Sequence, residues 1–170
     1  MIINRKGILK LSKNFDAYEA VKSDTAKKFG YKEQYELDDD QIETLRTTVF
    51  NIAQKARDFI KKKVFISSGY RCLRVNMKQA GASANSTHKK CKAIDIKMTS
   101  RKDLKIVYEY IRDNLKYTEL IWYYDTDNLP RWIHITYDPE NLAMILKVCE
   151  KLPNNKYNYK VIDKNYIKAV

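Results

Sequence analysis

An amphipathic segment in the first half of the chain constrains its fold more than any other feature. From about Asp39 to Lys62, apolar residues recur at steps of three and four: Ile42, Leu45, Val49, Ile52, Ala53, Ala56 and Phe59. That spacing places them on one face of an α-helix, which is buried against other elements. Acidic residues 38–40 at its start and lysines 61–63 at its end suit the helix dipole.

Short segments that alternate in polarity, as β-strands do, follow this helix. We predict strands at 64–68 (VFISS), 93–98 (AIDIKM), 119–125 (ELIWYYD) and 131–137 (RWIHITY). Ser100 can cap a helix between the second and third strands, with an apolar face of Leu104, Val107, Ile111 and Leu115. Asp138 and Pro139 favour a last helix from Glu140 to about Leu152.

Helices that come first and strands that cluster later indicate an α+β fold. We predict a single domain over residues 1–152, with a small antiparallel sheet and flanking helices. Residues 153–170 form a basic C-terminal extension, either a strand laid on the body or an arm.

The formal net charge of +12 predicts attraction to a polyanion, either nucleic acid, an anionic cell-wall polymer or a membrane surface. The alternative is a solvated basic surface. No apolar run is long enough to span a membrane, and the N-terminus is too polar for a signal peptide. We therefore expect synthesis in the cytoplasm without a signal peptide. Three cysteines, an odd number, argue against a disulfide framework.

The chain contains only two histidines, His88 in a small-residue loop and His134 within a predicted strand. Asp95 lies on a strand of otherwise apolar residues, where a lone carboxylate is costly unless it is paired or bound to metal. Two imidazoles and a carboxylate are a ligand set of catalytic zinc sites. From spacing alone, a core histidine and a strand-edge aspartate remain the alternative.

Four motifs in order carry a family resemblance: "SSGYR" (67–71), Asn76, "STHKKCKAIDI" (86–96) and "WIHITY" (132–137). Together they resemble the zinc D-alanyl-D-alanine carboxypeptidases and peptidoglycan endopeptidases, which share the hedgehog/DD-peptidase fold. The opening "LSKNFDAYEAVKSDTAKKFG" (11–30) resembles a phage- and prophage-type branch of that family. The resemblance extends over residues 10 to 137.

The resemblance implies that Zn²⁺ is bound by His88, Asp95 and His134, and that the reaction is hydrolysis of a peptide bond in peptidoglycan. It also implies that Arg71 binds a substrate carboxylate or the developing oxyanion; the alternative is a structural salt bridge. Ser86 would form a hydrogen bond in the site, or only a loop turn.

Two departures from the family pattern matter. Cys91 occupies a position that is usually glycine, so it is either an inert buried thiol or a further zinc ligand. The family also places a carboxylate either three residues before the last histidine or at the end of the preceding strand. Those positions hold Arg131 and Tyr123.

A general base is needed to take a proton from the attacking water. Asp125 follows Tyr123 by two positions, which places both on one face of a strand. We therefore predict Asp125 as the base and rank Asp127 second. The alternative for each is a solvated turn aspartate.

Two hypotheses follow. The chain is either an active zinc peptidase, endolysin-like and acting on peptidoglycan peptide stems, or a catalytically weakened member of the fold. The weakened member would serve as a cell-wall-binding or phage virion structural protein, with other virion proteins as partners. In either case we expect the protein at the bacterial cell wall or in a phage particle. A nucleic-acid binder would explain the charge but not the ligand set.

Overall fold

One sheet forms the frame of the molecule. A computed structural model of the chain describes residues 1–5, 8–79, 81–124, 129–152 and 157–164. Six strands lie within those ranges: β1 (Phe65–Ser68), β2 (Ala93–Lys97), β3 (Glu119–Tyr124), β4 (Pro130–Thr136), β5 (Ile145–Lys151) and β6 (Tyr157–Val161). Their order in the sheet is β1-β2-β4-β3-β5-β6. All neighbouring strands are antiparallel except β3 and β5, which are parallel.

Short helices precede and interrupt the sheet. They are α1 (Ala17–Val21), α2 (Asp24–Phe29), α3 (Asp39–Thr48), α4 (Lys55–Ile60), α5 (Leu73–Met77) and α6 (Arg101–Asn114). Two 3₁₀ turns, Lys32–Tyr35 and Thr87–Lys90, lie between them. The predicted α+β class is confirmed. Within the described ranges, no helix combines the length and apolar character needed to cross a membrane.

The long predicted helix is present, with one irregularity. A capping box between Asp38 and Gln41 begins α3. A π-helical segment, Val49–Gln54, then joins α3 to α4, which ends where Lys61 adopts the left-handed conformation (φ 54°). Six of the seven predicted face residues are buried. The seventh, Phe59, is 46% exposed and stacks on Tyr110 of α6, so its predicted burial was wrong.

The predicted last helix over 140–152 is wrong, because this segment contains β5. Asp138 does not cap a helix: its carboxylate forms an ion pair with Lys92 at 2.6 Å and accepts a hydrogen bond from the Glu140 amide in a turn. The apolar residues after Pro139 fit either period. The segment forms a strand because β5 pairs with β3 on one side and with β6 on the other.

The two faces of the sheet have different roles. One face carries the buried aliphatic residues of the core, which pack against the helices; Trp122, for example, contacts Tyr108 of α6 at a ring separation of 4.7 Å. The opposite face carries polar and aromatic residues and forms the floor of a cleft. Since successive strand residues alternate between faces, Asp95 and His134 point away from the core. β2 and β4 therefore both present their polar residues to the cleft.

Candidate metal centre

Three elements bring His88, Asp95 and His134 together in the cleft. His88 lies in the 3₁₀ turn Thr87–Lys90, Asp95 on β2 and His134 on β4. Asp95 and His134 are direct partners in the antiparallel register of the two strands. Although 46 residues separate the histidines in sequence, the Nε2 atom of His88 lies 3.2 Å from the Nδ1 atom of His134. The three side chains therefore form one group that could hold a metal ion.

Neighbouring groups orient both imidazoles. His88 Nδ1 lies 2.6 Å from the carbonyl oxygen of Gly69, which can only accept, so this nitrogen donates and Nε2 keeps its lone pair. His134 Nε2 lies 3.1 Å from the hydroxyl of Thr136. Nδ1 of His134 lies 2.8 Å from Asp95 Oδ1 and donates to it, since an ionised carboxylate can only accept. A metal ion that replaced this proton, with Nε2 donating to the Thr136 hydroxyl, would meet the lone pairs of both rings and the Asp95 carboxylate.

Gly69 can hold this position only because it lacks a side chain. A Cβ atom there would lie 2.4 Å from the backbone oxygen of Ala20 in α1. The amide of Tyr70 also donates to that oxygen, at 2.9 Å. Close approach of α1 to the end of β1 thus explains the glycine in "SSGYR" and fixes the carbonyl that orients His88.

The spacing of the three candidate ligand atoms fits a metal ion. Asp95 Oδ1 lies 2.8 Å from His134 Nδ1 and 3.4 Å from His88 Nε2. Ligands placed tetrahedrally at about 2.1 Å from zinc are about 3.4 Å apart. Two nitrogen lone pairs and a carboxylate oxygen that face each other within these distances suit one divalent cation.

The protonation states also suit a ligand set. Burial opposes ionisation of Asp95, but the two imidazoles outweigh it and hold the pKa of its carboxyl well below the ordinary value. Burial lowers the pKa of His88, and this outweighs the opposing effect of Asp95. An ionised carboxylate and a neutral imidazole are the forms that bind metal.

Arg71 lies beside this group and pairs with one of its members. Its Nη2 donates to Asp95 Oδ2 at 2.5 Å, and its Nε donates to Ser68 Oγ at 2.8 Å. Arg71 thus forms the structural salt bridge that the sequence analysis gave as the alternative to substrate binding. Arg71 also lines the cleft, so its predicted role toward substrate stays a prediction.

Ser86 and Cys91 flank His88 on its turn. The Ser86 amide donates to the Ser83 carbonyl at 3.1 Å, so Ser86 belongs to a loop turn, and it also lines the cleft. Its predicted hydrogen bond within the site stays a prediction. Cys91 is fully buried in the core, outside the candidate metal group, and burial raises the pKa of its thiol to about 12. Its place in the core, outside the candidate metal group, favours the inert buried thiol of the two alternatives.

The predicted bases Asp125 and Asp127 lie outside the described residues. Tyr123, at one of the two family positions for a carboxylate, stacks on Trp132 at a ring separation of 4.5 Å. Arg131, at the other, is exposed.

The sequence reading missed several residues of the cleft. Glu119 and Lys147 form an ion pair at its floor, and Tyr157 and Tyr159 of β6 line one end. The alternation of Tyr157, Tyr159 and Val161 is a strand signal that could have identified β6 and its aromatic face.

Comparison with known proteins adds one positive finding. The model of the family described as Peptidase M15 matches residues 13–136, which is most of the chain and includes the whole candidate metal group. A search of curated proteins found no match.

Proposed function

Because the chain belongs to the peptidase M15 family, which points to a peptidase, we propose that it is a zinc-dependent enzyme that cleaves peptide bonds of bacterial peptidoglycan. The convergence of His88 Nε2, Asp95 Oδ1 and His134 Nδ1 within a cleft, inside the matched residues, carries this proposal. The net charge of +12 supports an anionic cell-wall substrate. Action at the wall, after release from or carriage in a phage particle, is part of the proposal.

In this proposal the three residues hold Zn²⁺, which when bound supplies Lewis-acid polarisation of the substrate carbonyl and lowers the pKa of a bound water to near neutrality. The Gly69 carbonyl and the Thr136 hydroxyl hold the two imidazole rings in their binding orientation. Arg71 pairs with Asp95 and lines the cleft, and we assign its remaining N–H groups to the substrate. There they would stabilise negative charge on the substrate.

The mechanism also needs a proton acceptor. We retain Asp125 in this role because it follows Tyr123, which lines the cleft, by two positions in sequence, and the alternation of a strand would place both on one face. A carboxylate there would accept the proton of the attacking water and return it to the leaving amine. Asp125→Ala should then abolish hydrolysis while zinc content is retained. Unchanged hydrolysis would assign the role to another group.

A second candidate function is a catalytically weakened member of the fold that binds the cell wall or forms part of a virion. Arg131, three residues before His134, favours it, since a cation there cannot accept a proton. Under this candidate the metal group is kept for structure, and the partners are wall polymer or other virion proteins.

Hydrolysis of purified peptidoglycan by the zinc-loaded protein tests the proposal. We expect soluble stem fragments to be released. His88→Ala and His134→Ala should each lose both zinc and hydrolysis. Lys90→Ala, an exposed change in the same 3₁₀ turn, is the matched control and should retain both. Full zinc occupancy without fragment release would overturn the proposal and favour the second candidate.

A further inference from the structure

Four aromatic side chains form a continuous wall at one end of the cleft. The aromatic wall consists of Tyr123 on β3, Trp132 on β4, and Tyr157 and Tyr159 on β6, all of which line the cleft. Tyr123 stacks on Trp132, and its ring meets those of Tyr157 and Tyr159 edge-on at 6.1 Å each. Edge-on and offset contacts are the stable arrangements for aromatic rings, so the four rings support each other.

The aromatic wall begins directly beside the candidate metal centre. Tyr123 and Trp132 are partners in the β3–β4 register, and the next pair on the same face is Ile121 with His134. Two residues along a strand correspond to about 7 Å. A substrate held at the metal group would therefore reach the aromatic wall with its adjoining part.

Half of the aromatic wall comes from outside the family match. Tyr157 and Tyr159 belong to β6, which follows the matched residues 13–136. Their strand is held by its antiparallel pairing with β5. This end of the cleft is therefore an addition to the part of the chain that the family model covers.

The loop that leads to His88 packs against the aromatic wall from the other side. A Cβ atom on Gly81 would lie 2.8 Å from the ring of Tyr157, and Gly81 has φ +74°, which favours glycine. The ring of Tyr157 thus fills the space that a side chain at residue 81 would need. Contact with this loop restrains Tyr157 before any ligand arrives.

The chemistry of the aromatic wall suits a neutral ring that carries hydroxyl groups. The hydroxyls of Tyr123 and Tyr159 lie 2.9 Å apart, and the Cys149 thiol also approaches that of Tyr159. Each phenol can both donate and accept. Tyr159 is 45% exposed, which leaves ring surface for a ligand. Lys97 and Arg131 lie 5.7 and 5.9 Å from the centre of the Trp132 ring, so the tyrosines offer the more open surface.

We propose that the aromatic wall is a binding subsite for an N-acetylated sugar ring of the glycan strand that carries the peptide stem. The C–H face of the sugar packs on the tyrosine rings, and its hydroxyl and acetamido groups bond to the phenols. An aliphatic side chain would bury those phenols without new partners, which is unfavourable. The inference rests on the proposed function, because it supplies the glycan part of the same substrate.

Binding to peptide-free glycan strands, measured by calorimetry on the zinc-loaded chain, tests the subsite without requiring hydrolysis. We expect Tyr159→Ala to weaken glycan binding about tenfold, as expected for loss of one stacked ring. Tyr159→Phe keeps the ring but lacks the hydroxyl, so its affinity for glycan should lie between those of the parent chain and of Tyr159→Ala. Asn158→Ala, on the opposite face of β6, is the matched control and should bind as the parent does.

Three results would overturn the subsite. The first is absence of glycan binding by the parent chain, and the second is unchanged glycan binding by Tyr159→Ala. The third is a Tyr159→Ala variant that loses affinity for released stem peptides and not for glycan. Because the readout is binding, the two proposals can fail separately. A chain that binds glycan through Tyr159 but does not hydrolyse peptidoglycan would refute the proposed peptidase activity and support the proposed subsite.

Discussion

At the scale of single residues, Cys91 occupies a backbone conformation that favours glycine. Its φ of 59° and ψ of 10° place it in the left-handed region at the end of the 3₁₀ turn that carries His88. A side chain in that region costs about 1–2 kcal/mol. Burial of the thiol in the core offsets part of this cost. The residue thus keeps the turn that the family builds with glycine.

Replacement of Cys91 by alanine and by glycine separates the backbone cost from the packing of the thiol. Both variants lose the sulfur, but only glycine relieves the left-handed strain. After the extra flexibility of glycine in the unfolded chain is subtracted, we expect Cys91→Gly to be more stable than Cys91→Ala by roughly 0.5–1 kcal/mol. Urea unfolding of the two variants measures this difference. An alanine variant of equal or greater stability would contradict the strain argument.

Arg71 is the second residue with a testable consequence, because its guanidinium holds the outer oxygen of Asp95. Lysine cannot form both this contact and the one with Ser68. Loss of a group that orients a metal ligand typically costs about tenfold to a hundredfold in metal affinity, so we expect Arg71→Lys to bind zinc about tenfold more weakly.

Competition with a chelator of known affinity measures the zinc affinity of Arg71→Lys. Ser68→Ala, which removes only the second contact, is the comparison and should have the smaller effect. Unchanged zinc affinity combined with lost hydrolysis would assign Arg71 to the substrate.

At the scale of elements, the half-buried carboxylate of Glu19 on α1 forms a hydrogen bond with the backbone of β1. Glu19 accepts a hydrogen bond from the Ile66 amide at 3.1 Å. Burial raises the pKa of Glu19 above its ordinary value of 4.5, although the Ile66 amide and Lys22 oppose the rise. The charged form is therefore less favourable in the folded chain than in the unfolded chain. A raised pKa means that stability from this group is present at low pH and is lost as the pH rises through the folded value.

Glu19→Gln removes that charge and keeps an oxygen for the Ile66 amide. We expect the variant to exceed the parent in free energy of unfolding at pH 7, and the difference to vanish below pH about 4. Urea unfolding across this range measures the effect. Glu140→Gln, at an exposed turn, is the control. A variant that is less stable at neutral pH would show that the ionised carboxylate strengthens the contact.

The elements also show where sequence reasoning reached its limit. Four strands, α6 and the long helix were predictable because each has one buried face with a clear period. Segment 140–152 was not, since its apolar residues fit either period and pairing with β3 decided between them. For the site, residue types and spacing left alternatives open, and the family resemblance of the four motifs predicted which three side chains meet. The partners of Arg71 and the approach of β6 depend on contacts between distant segments, which no local pattern encodes.

At the scale of the whole molecule, the candidate ligands are brought together only by folding. The unfolded chain does not hold Asp95 and His134, 39 residues apart, at a distance suited to one ion. Zinc should therefore bind the folded state preferentially. At a free concentration of 100 times its dissociation constant, it should add about 2.7 kcal/mol to the free energy of unfolding.

Thermal unfolding with zinc and with excess chelator measures this stabilisation, and no substrate is needed. His134→Ala should unfold at the same temperature in both conditions. Equal stability of the parent chain with and without zinc would contradict a metal site formed by these three residues.

The position of β3 also bears on how fast this chain can fold. β3 and β4 are antiparallel neighbours joined by a short connection, so they can pair early. β5 and β6 form a second local antiparallel pair, whereas β2 and β4 join residues as distant in sequence as Asp95 and His134, 39 positions apart. Non-local pairing of this kind slows refolding, because loop entropy is lost before the contacts form. The strands that carry Asp95 and His134 should thus pair late on the folding pathway, and the metal group should assemble with them.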